Sequence, residues 1–225
     1  MAPPVEADFQ KHLQDISSDS IAPLYLLHGE EDFHQNEFWC LIKERLISPE
    51  TSSFNIEIID GETCSAIDVL NAVETLSFLG GKKCVLIRRA HHLENEVELL
   101  ASYFASPNDS SCLVLLSGPL KTSSKLLKAV RVGGTVISTP FLKGNRFASA
   151  VKNLASSRSL TLDKDALSLL AEQTGGSLWR AAAEIEKISL YMSCENINIG
   201  SKAGSNLVPL KAVSYTHLRA HETRE

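Results

Sequence analysis

The chain has 225 residues, 44% of them hydrophobic, and a formal net charge of −5, enough apolar material for one or two packed domains. No apolar run approaches the ~20 residues that cross a bilayer, and the opening MAPPVEADFQ lacks the basic-then-apolar order of a signal peptide, so a cytoplasmic protein is expected. Five cysteines (Cys40, Cys64, Cys84, Cys112, Cys194), widely spaced and mostly set in apolar runs, read as buried free thiols, not as a disulfide frame or a zinc knuckle.

Five short runs rich in β-formers, at 24–28, 54–59, 84–87, 112–116 and 135–138, alternate with helical patterns. Phe38, Trp39, Ile42 and Leu46 fall at helical spacing, as do Ile67, Leu70 and Val73, then Leu93, Val97, Leu100 and Phe104, then Leu126, Leu127 and Val130. Such alternation predicts a mostly parallel sheet covered on both faces, with right-handed crossovers. This α/β domain is expected to occupy residues 1–140.

From Asn145 the strand signals stop. Phe147, Val151 and Leu154 predict one helix, and Leu167, Leu170 and Ala171 a second, capped by Asp163. After TGGS, Leu178, Ala182, Ile185, Ile188 and Met192 predict a third, with Ser177 at its start. Residues 141–200 are thus expected to form a small three-helix lid domain. Residues 201–225 have no clear period and read as a linker or truncated third domain. From about residue 213 the ending resembles translated adaptor sequence, so His217 and His221 are not taken as metal ligands.

Charge is unevenly spread. Residues 1–109 carry 19 acids and 7 bases, whereas residues 110–162 carry no acid and 8 bases. Within that block Lys121, Lys125 and Lys128 would share about 60° of a helix, with Arg131 nearby. Such a face suits phosphates of DNA; the plainer alternative is a solvated helix face.

The stretch LYLLHGEEDFHQNEFW reads strand, glycine, helix, the arrangement of a phosphate loop. That loop needs G-x-x-x-x-G-K-S/T, whose glycines let backbone N–H groups wrap phosphate while the lysine offsets its charge. Gly29 is followed instead by Glu30, Glu31 and Asp32, with no second glycine, no lysine and no hydroxyl in place. Carboxylates suit a helix N-terminus and repel the anion it would otherwise receive, so they are expected to help cap the helix. The later strand CVLIRRAHHLEN runs into Arg88 and Arg89, which cannot ligate magnesium. His91 and His92 are sequence neighbours and do not converge on one metal. Neither cofactor nor metal is expected, and no nucleophile motif is present to make a catalytic centre.

Three segments in order carry a resemblance: LYLLHGEEDF, TLSFLGGKKCVLI and LTLDKDALSLLAEQTGGSLWRAAAEIEKISLY, the last with Glu184, Glu186 and Lys187 in an E-x-E-K region and Leu190 and Tyr191 closing it. Over about residues 20–200 the chain resembles the delta subunit of the bacterial DNA polymerase III clamp loader. The resemblance implies an AAA+-type, P-loop-like sheet domain, a helical lid and a C-terminal helical collar that this chain is not expected to contain. It implies a subunit of the DNA-directed DNA polymerase complex that does not hydrolyse ATP and that binds and opens the beta sliding clamp during replication. The matching anchors are Phe78 and Leu79, with Leu76 and Ser77 supporting, in a turn that Gly80 and Gly81 free to project. Without the resemblance the same pair reads as the last turn of an amphipathic helix. Further implied partners are the gamma/tau and delta prime subunits, through the collar, and primer-template DNA. The alternatives from other classes are an ATP-hydrolysing AAA+ enzyme with an atypical site and a DNA-binding adaptor.

Overall fold

The computed structural model describes residues 5–18, 20–47, 52–77 and 80–198. In chain order the elements are α1 Val5–Ser17, β1 Leu24–Gly29, α2 Asp32–Leu46, α3 Ser52–Asn55, β2 Ile56–Asp60, α4 Ala66–Glu74 and β3 Lys83–Arg88. A 3-10 turn, Ala90–Asn95, leads to α5 Val97–Ala105, β4 Ser111–Ser117, α6 Lys125–Val130 and β5 Thr135–Thr139. Three helices follow, α7 Asn145–Ser157, α8 Lys164–Thr174 and α9 Leu178–Asn198. Packing divides the chain into two units between Phe141 and Leu142.

In the first unit all five strands are parallel, in the order β2-β3-β4-β1-β5. Alternation along a strand sends neighbouring side chains to opposite faces, and here both faces are apolar. Leu24 and Leu26, with Val85, Ile87, Leu113 and Leu115, pack against α4, α5 and α6. Tyr25 and Leu27, with Cys84, Leu86, Cys112 and Val114, pack against α1 and α2. Cys84 and Cys112 are register partners on adjacent strands and both are buried free thiols. Burial pushes the Cys84 pKa up to about 12 and raises that of Cys112 as well.

Two helix starts are held from the same short turn. Ser65 and Asp68 form a reciprocal cap at α4, and Glu96 also accepts the Ala66 N–H at 2.7 Å. At α6, Ser124 caps Leu127. Glu94 takes the Lys125 N–H at 2.5 Å, the Ser124 hydroxyl at 2.7 Å and the Leu126 N–H at 3.2 Å.

Two elements depart from the sequence reading. Helix α1 was not expected, although Phe9, Leu13 and Ile16 recur at spacings of four and three and join the α2-side core. The second strand begins at Ile56, because residues 52–55 turn as α3 instead of extending.

The second unit contains α7, α8 and α9. Phe147, Val151, Leu170, Leu178, Ile185 and Ile188 are buried. Asp163 caps α8 through the Ala166 N–H at 2.7 Å, and Gly175 ends it in the left-handed conformation. The linker and tail expected over 201–225 lie outside the described residues. Among the described residues no helix is long and apolar enough to cross a membrane.

Candidate functional site

Open parallel sheets receive ligands outside the carboxyl ends of their strands. Here β1 ends at Gly29 and α2 starts at Asp32, so Glu30 and Glu31 are the whole connection. Laid on Gly29, the phosphate motif would wrap residues 30–33 around an anion, yet Asp32 and Phe33 are already helical. His34, Gln35 and Asn36 then stand where the motif needs glycine, lysine and a hydroxyl.

The first two of these face inward. His34 is buried with its ring 4.5 Å from that of Phe9, and burial pushes its pKa down to about 4. Gln35 is buried as well. Its Nε2 donates to the Ser117 carbonyl at 3.0 Å and to Thr139 Oγ1 at 3.1 Å, and it lies 3.5 Å from the Gly29 carbonyl. One amide therefore joins the ends of β4, β5 and β1. Gly29 is needed by the same junction, since a Cβ there would meet the Thr139 carbonyl oxygen at 2.0 Å.

The carboxylates cap α2 by position more than by hydrogen bond. Glu30 is exposed. Asp32 lies in the first turn, where it suits the helix dipole. Glu31 is the N-cap residue but makes no side-chain cap bond, which corrects the expectation for it. Its N–H donates to the Thr139 carbonyl at 2.9 Å, and its side chain turns inward, with the residue 4% exposed. Among the described residues its Oε2 has no hydrogen-bond partner, and burial holds its pKa above the ordinary value.

At the end of β3, Arg89 is in the left-handed conformation (φ 53°). Its Nε donates to Asp60 Oδ1 at 2.9 Å, and its two terminal nitrogens reach Asp60 and Glu62. That hydrogen-bonded guanidinium holds the Asp60 carboxyl below its ordinary range. The acid nearest this strand end is thus engaged by a cation. Among the described residues no group of three or more His, Cys, Asp and Glu side chains could hold a metal ion.

Helix α4 ends at Glu74 and its C-cap, Thr75, is extended. Leu76 is 73% exposed. The Ser77 hydroxyl lies 2.6 Å from Asn55 Oδ1 and 2.7 Å from the Gly80 carbonyl, while Asn55 Nδ2 donates to that carbonyl at 3.1 Å. Gly80 and Gly81 both have φ of 79°. Phe78 and Leu79 themselves lie outside the described residues.

The basic residues do not share one helix face as expected. Lys121 precedes α6, which starts only at Lys125, because Ser124 and Glu94 fix the helix N-terminus there. Lys125 Nζ lies 3.2 Å from Glu98 Oε1, an exposed pair. Lys121, Lys128 and Arg131 are exposed. Arg131 lies close enough to His28 for its charge to add to burial in lowering the His28 pKa.

A family model described as DNA polymerase III, delta subunit matches residues 25–139, half of the chain. The chain belongs to that family. Among curated proteins, the DNA polymerase III subunit delta of Bacillus subtilis is 24% identical over 190 residues, 80% of this chain and 55% of that protein. The chain spans about half the length of the curated relatives it matches. Among solved structures, the Bacillus subtilis DNA clamp loader delta protein superposes with a TM-score of 0.72 at 23% identity, covering 93% of this chain and 61% of that one. The Thermotoga maritima RuvB Holliday junction branch migration motor superposes with a TM-score of 0.53 at 15% identity, over 96% of this chain and 68% of that one. Both likenesses concern the fold, which is AAA+-like.

Within this delta-family fold, Gln35, Asn55 and Glu94 are the residues that the sequence reading missed. A glutamine at the lysine position of a failed phosphate motif was the available signal for the first. Asn55 gave none, because its partners lie 22 and 25 residues away.

Proposed function

We propose that the chain is the non-catalytic delta subunit that binds the beta sliding clamp and holds one of its interfaces open for loading on DNA. The observation that supports this best is the two-residue β1–α2 connection in a member of the delta family. A nucleotide site at that strand end would need a loop that wraps the phosphates, and here the helix has already begun. Gln35 spends on the sheet the position that a lysine would spend on phosphate.

Opening a ring requires no bond-making, only tighter binding to its open form than to its closed one. Phe78 and Leu79 are the anchors in this reading, by sequence resemblance, with Leu76 and Ser77 beside them. Each apolar side chain fully buried in a clamp pocket contributes roughly 1.5–3 kcal/mol, the chemistry of an interface hot spot. In this reading the clamp contact belongs to residues 1–140, residues 141–200 are the lid, and Lys121, Lys125, Lys128 and Arg131 face primer-template DNA. The gamma/tau and delta prime subunits are reached through a collar, and the protein works in the cytoplasm without a cofactor of its own.

The test is binding of the purified chain to a bacterial sliding clamp without nucleotide, wild type beside Phe78→Ala/Leu79→Ala. Binding that the double change removes, while circular dichroism stays unchanged, supports the reading. A folded wild type that ignores the clamp overturns it, and saturable ATP turnover overturns the non-catalytic part.

A further inference from the structure

Among the described strands β2 pairs with β3 alone, so it forms one edge of the sheet. Hydrogen bonding alternates along a strand, and two bonds therefore orient the whole ladder. The Gly61 N–H donates to the Arg88 carbonyl at 2.7 Å, whereas the Lys83 N–H turns the other way, to the Ser110 carbonyl at 3.0 Å. Glu57, Ile59 and Gly61 thus direct their backbone groups at β3, and Ile56, Ile58 and Asp60 direct theirs outward. The Asp60 carbonyl is already taken by the Thr63 and Cys64 N–H groups, each at 3.1 Å. Among the described residues no such bond reaches the N–H or carbonyl of Ile58, and that residue is 51% exposed.

Soluble proteins usually guard such an edge with proline, lysine or an outward charge. Residues 56–60, IEIID, hold neither proline nor lysine. Their two acids are drawn back onto the sheet. Glu57 lies 2.7 Å from Lys83 Nζ, and Asp60 takes the Arg89 guanidinium, with Nε at 2.9 Å. What faces outward is an apolar strand whose charges are compensated from within the chain.

From this edge we infer that β2 is a docking surface for a second copy of the chain, joined antiparallel about Ile58. The outward groups are centred on Ile58, so a two-fold axis there brings donors to acceptors. Ile58 exchanges both backbone bonds with Ile58 of the other copy, and each Asp60 N–H meets the Ile56 carbonyl opposite it. Glu57 then lies across from Ile59, so like charges, which would oppose pairing, are not set against each other. The two Ile58 side chains lie side by side on the face that Leu86 also occupies. Such an interface uses the same patch on both copies and closes at two chains. It is independent of the clamp-binding reading.

The experiment is sedimentation equilibrium of the purified chain from ~10 µM to ~1 mM, the span of weak association. Salt at ~0.15 M screens the acids of residues 1–109 that lie far from the axis. The mean mass is expected to rise from one chain towards two. Ile58→Lys sets like charges across the axis and should weaken association at least about tenfold, as should Ile58→Asp. Mixing those two variants should restore a dimer of one of each, an outcome specific to Ile58 facing Ile58. Ile58→Pro should also stay monomeric, because it loses an N–H that points outward and none of the ladder to β3. Circular dichroism follows the fold of every variant. Should Ile58→Pro fail to fold, the mixture of Ile58→Lys and Ile58→Asp still decides. A folded wild type that stays monomeric to the highest concentration overturns the inference. So does a dimer indifferent to Ile58→Lys, a mixture that stays monomeric, or a mass that grows past two chains.

Discussion

Across 82 residues of chain, the side-chain amide of Gln35 donates to the carbonyl of Ser117 at 3.0 Å. The same nitrogen reaches Thr139 Oγ1, so the first turn of α2 is bonded to the ends of β4 and β5, the two strands that flank β1. Gln35→Ala would strand buried acceptors, at about 1–3 kcal/mol. Urea unfolding should show that loss. Gln35→Lys should not create ATP affinity, because α2 still begins at Asp32; a saturable nucleotide titration of that variant would contradict the account of this strand end.

Gly29 should tolerate no side chain. The ideal Cβ position lies 2.0 Å from the Thr139 carbonyl oxygen, so Gly29→Ala has to part β1 from β5. A loss above about 3 kcal/mol is expected, in the range that backbone clashes in a packed core produce. The thermal midpoint of the first unit is the quantity to follow.

Glu31 and Glu94 should respond to pH in opposite directions. Burial raises the Glu31 pKa, so the folded state holds its proton more tightly than the unfolded one. Its contribution is fully present below the ordinary glutamate range and is lost as pH rises through the folded value. Glu31→Gln should therefore stabilise the protein at pH 7, by about 1 kcal/mol, since one of its carboxylate oxygens is buried with no hydrogen-bond partner among the described residues. That gain should shrink as the solution is acidified.

Glu94 runs the other way. Burial alone would raise its pKa, but hydrogen bonds from Ser124 and the Lys125 and Leu126 N–H groups lower it on balance. Its contribution is present above the ordinary glutamate range and is lost as pH falls through the folded value. Glu94→Ala should cost about 1–2 kcal/mol at pH 7, as removal of a helix cap does. Urea midpoints of wild type and variant should draw together as the pH is lowered from 7 through the ordinary glutamate range and below it.

If the basic residues meet DNA, Lys121→Glu, Lys128→Glu and Arg131→Glu should each weaken binding and flatten its salt dependence. Lys125→Glu should matter less, because its ammonium already faces Glu98. Fluorescence anisotropy with a primer-template duplex at two salt concentrations separates these outcomes. Equal affinities for all four variants and wild type would make the block a solvated face.

Much of the sheet was legible because its strands are apolar on both faces and stand apart as runs. Helix α1 was legible in principle, from the spacing of Phe9, Leu13 and Ile16. Residues 52–55 misled because Phe54 is a good strand former, yet it sits in a helical turn and is mostly exposed. The failed phosphate loop could be read from missing residue types alone. What replaced it could not, since the partners of Gln35 and Asn55 are brought close only by the sheet. The shared helix face of Lys121 and Lys125 failed for a local reason, the Ser124 and Glu94 cap that starts α6 after Lys121.

The buried thiols of Cys84 and Cys112 make the chain its own opening gauge. A thiol attacks an alkylating reagent only as thiolate, and burial suppresses that form at both positions while shutting the reagent out. Each can react only in molecules whose central strands have come apart. Alkylation at these two sites, counted by mass, therefore times rare excursions of the sheet under native conditions, without denaturant and without any engineered probe.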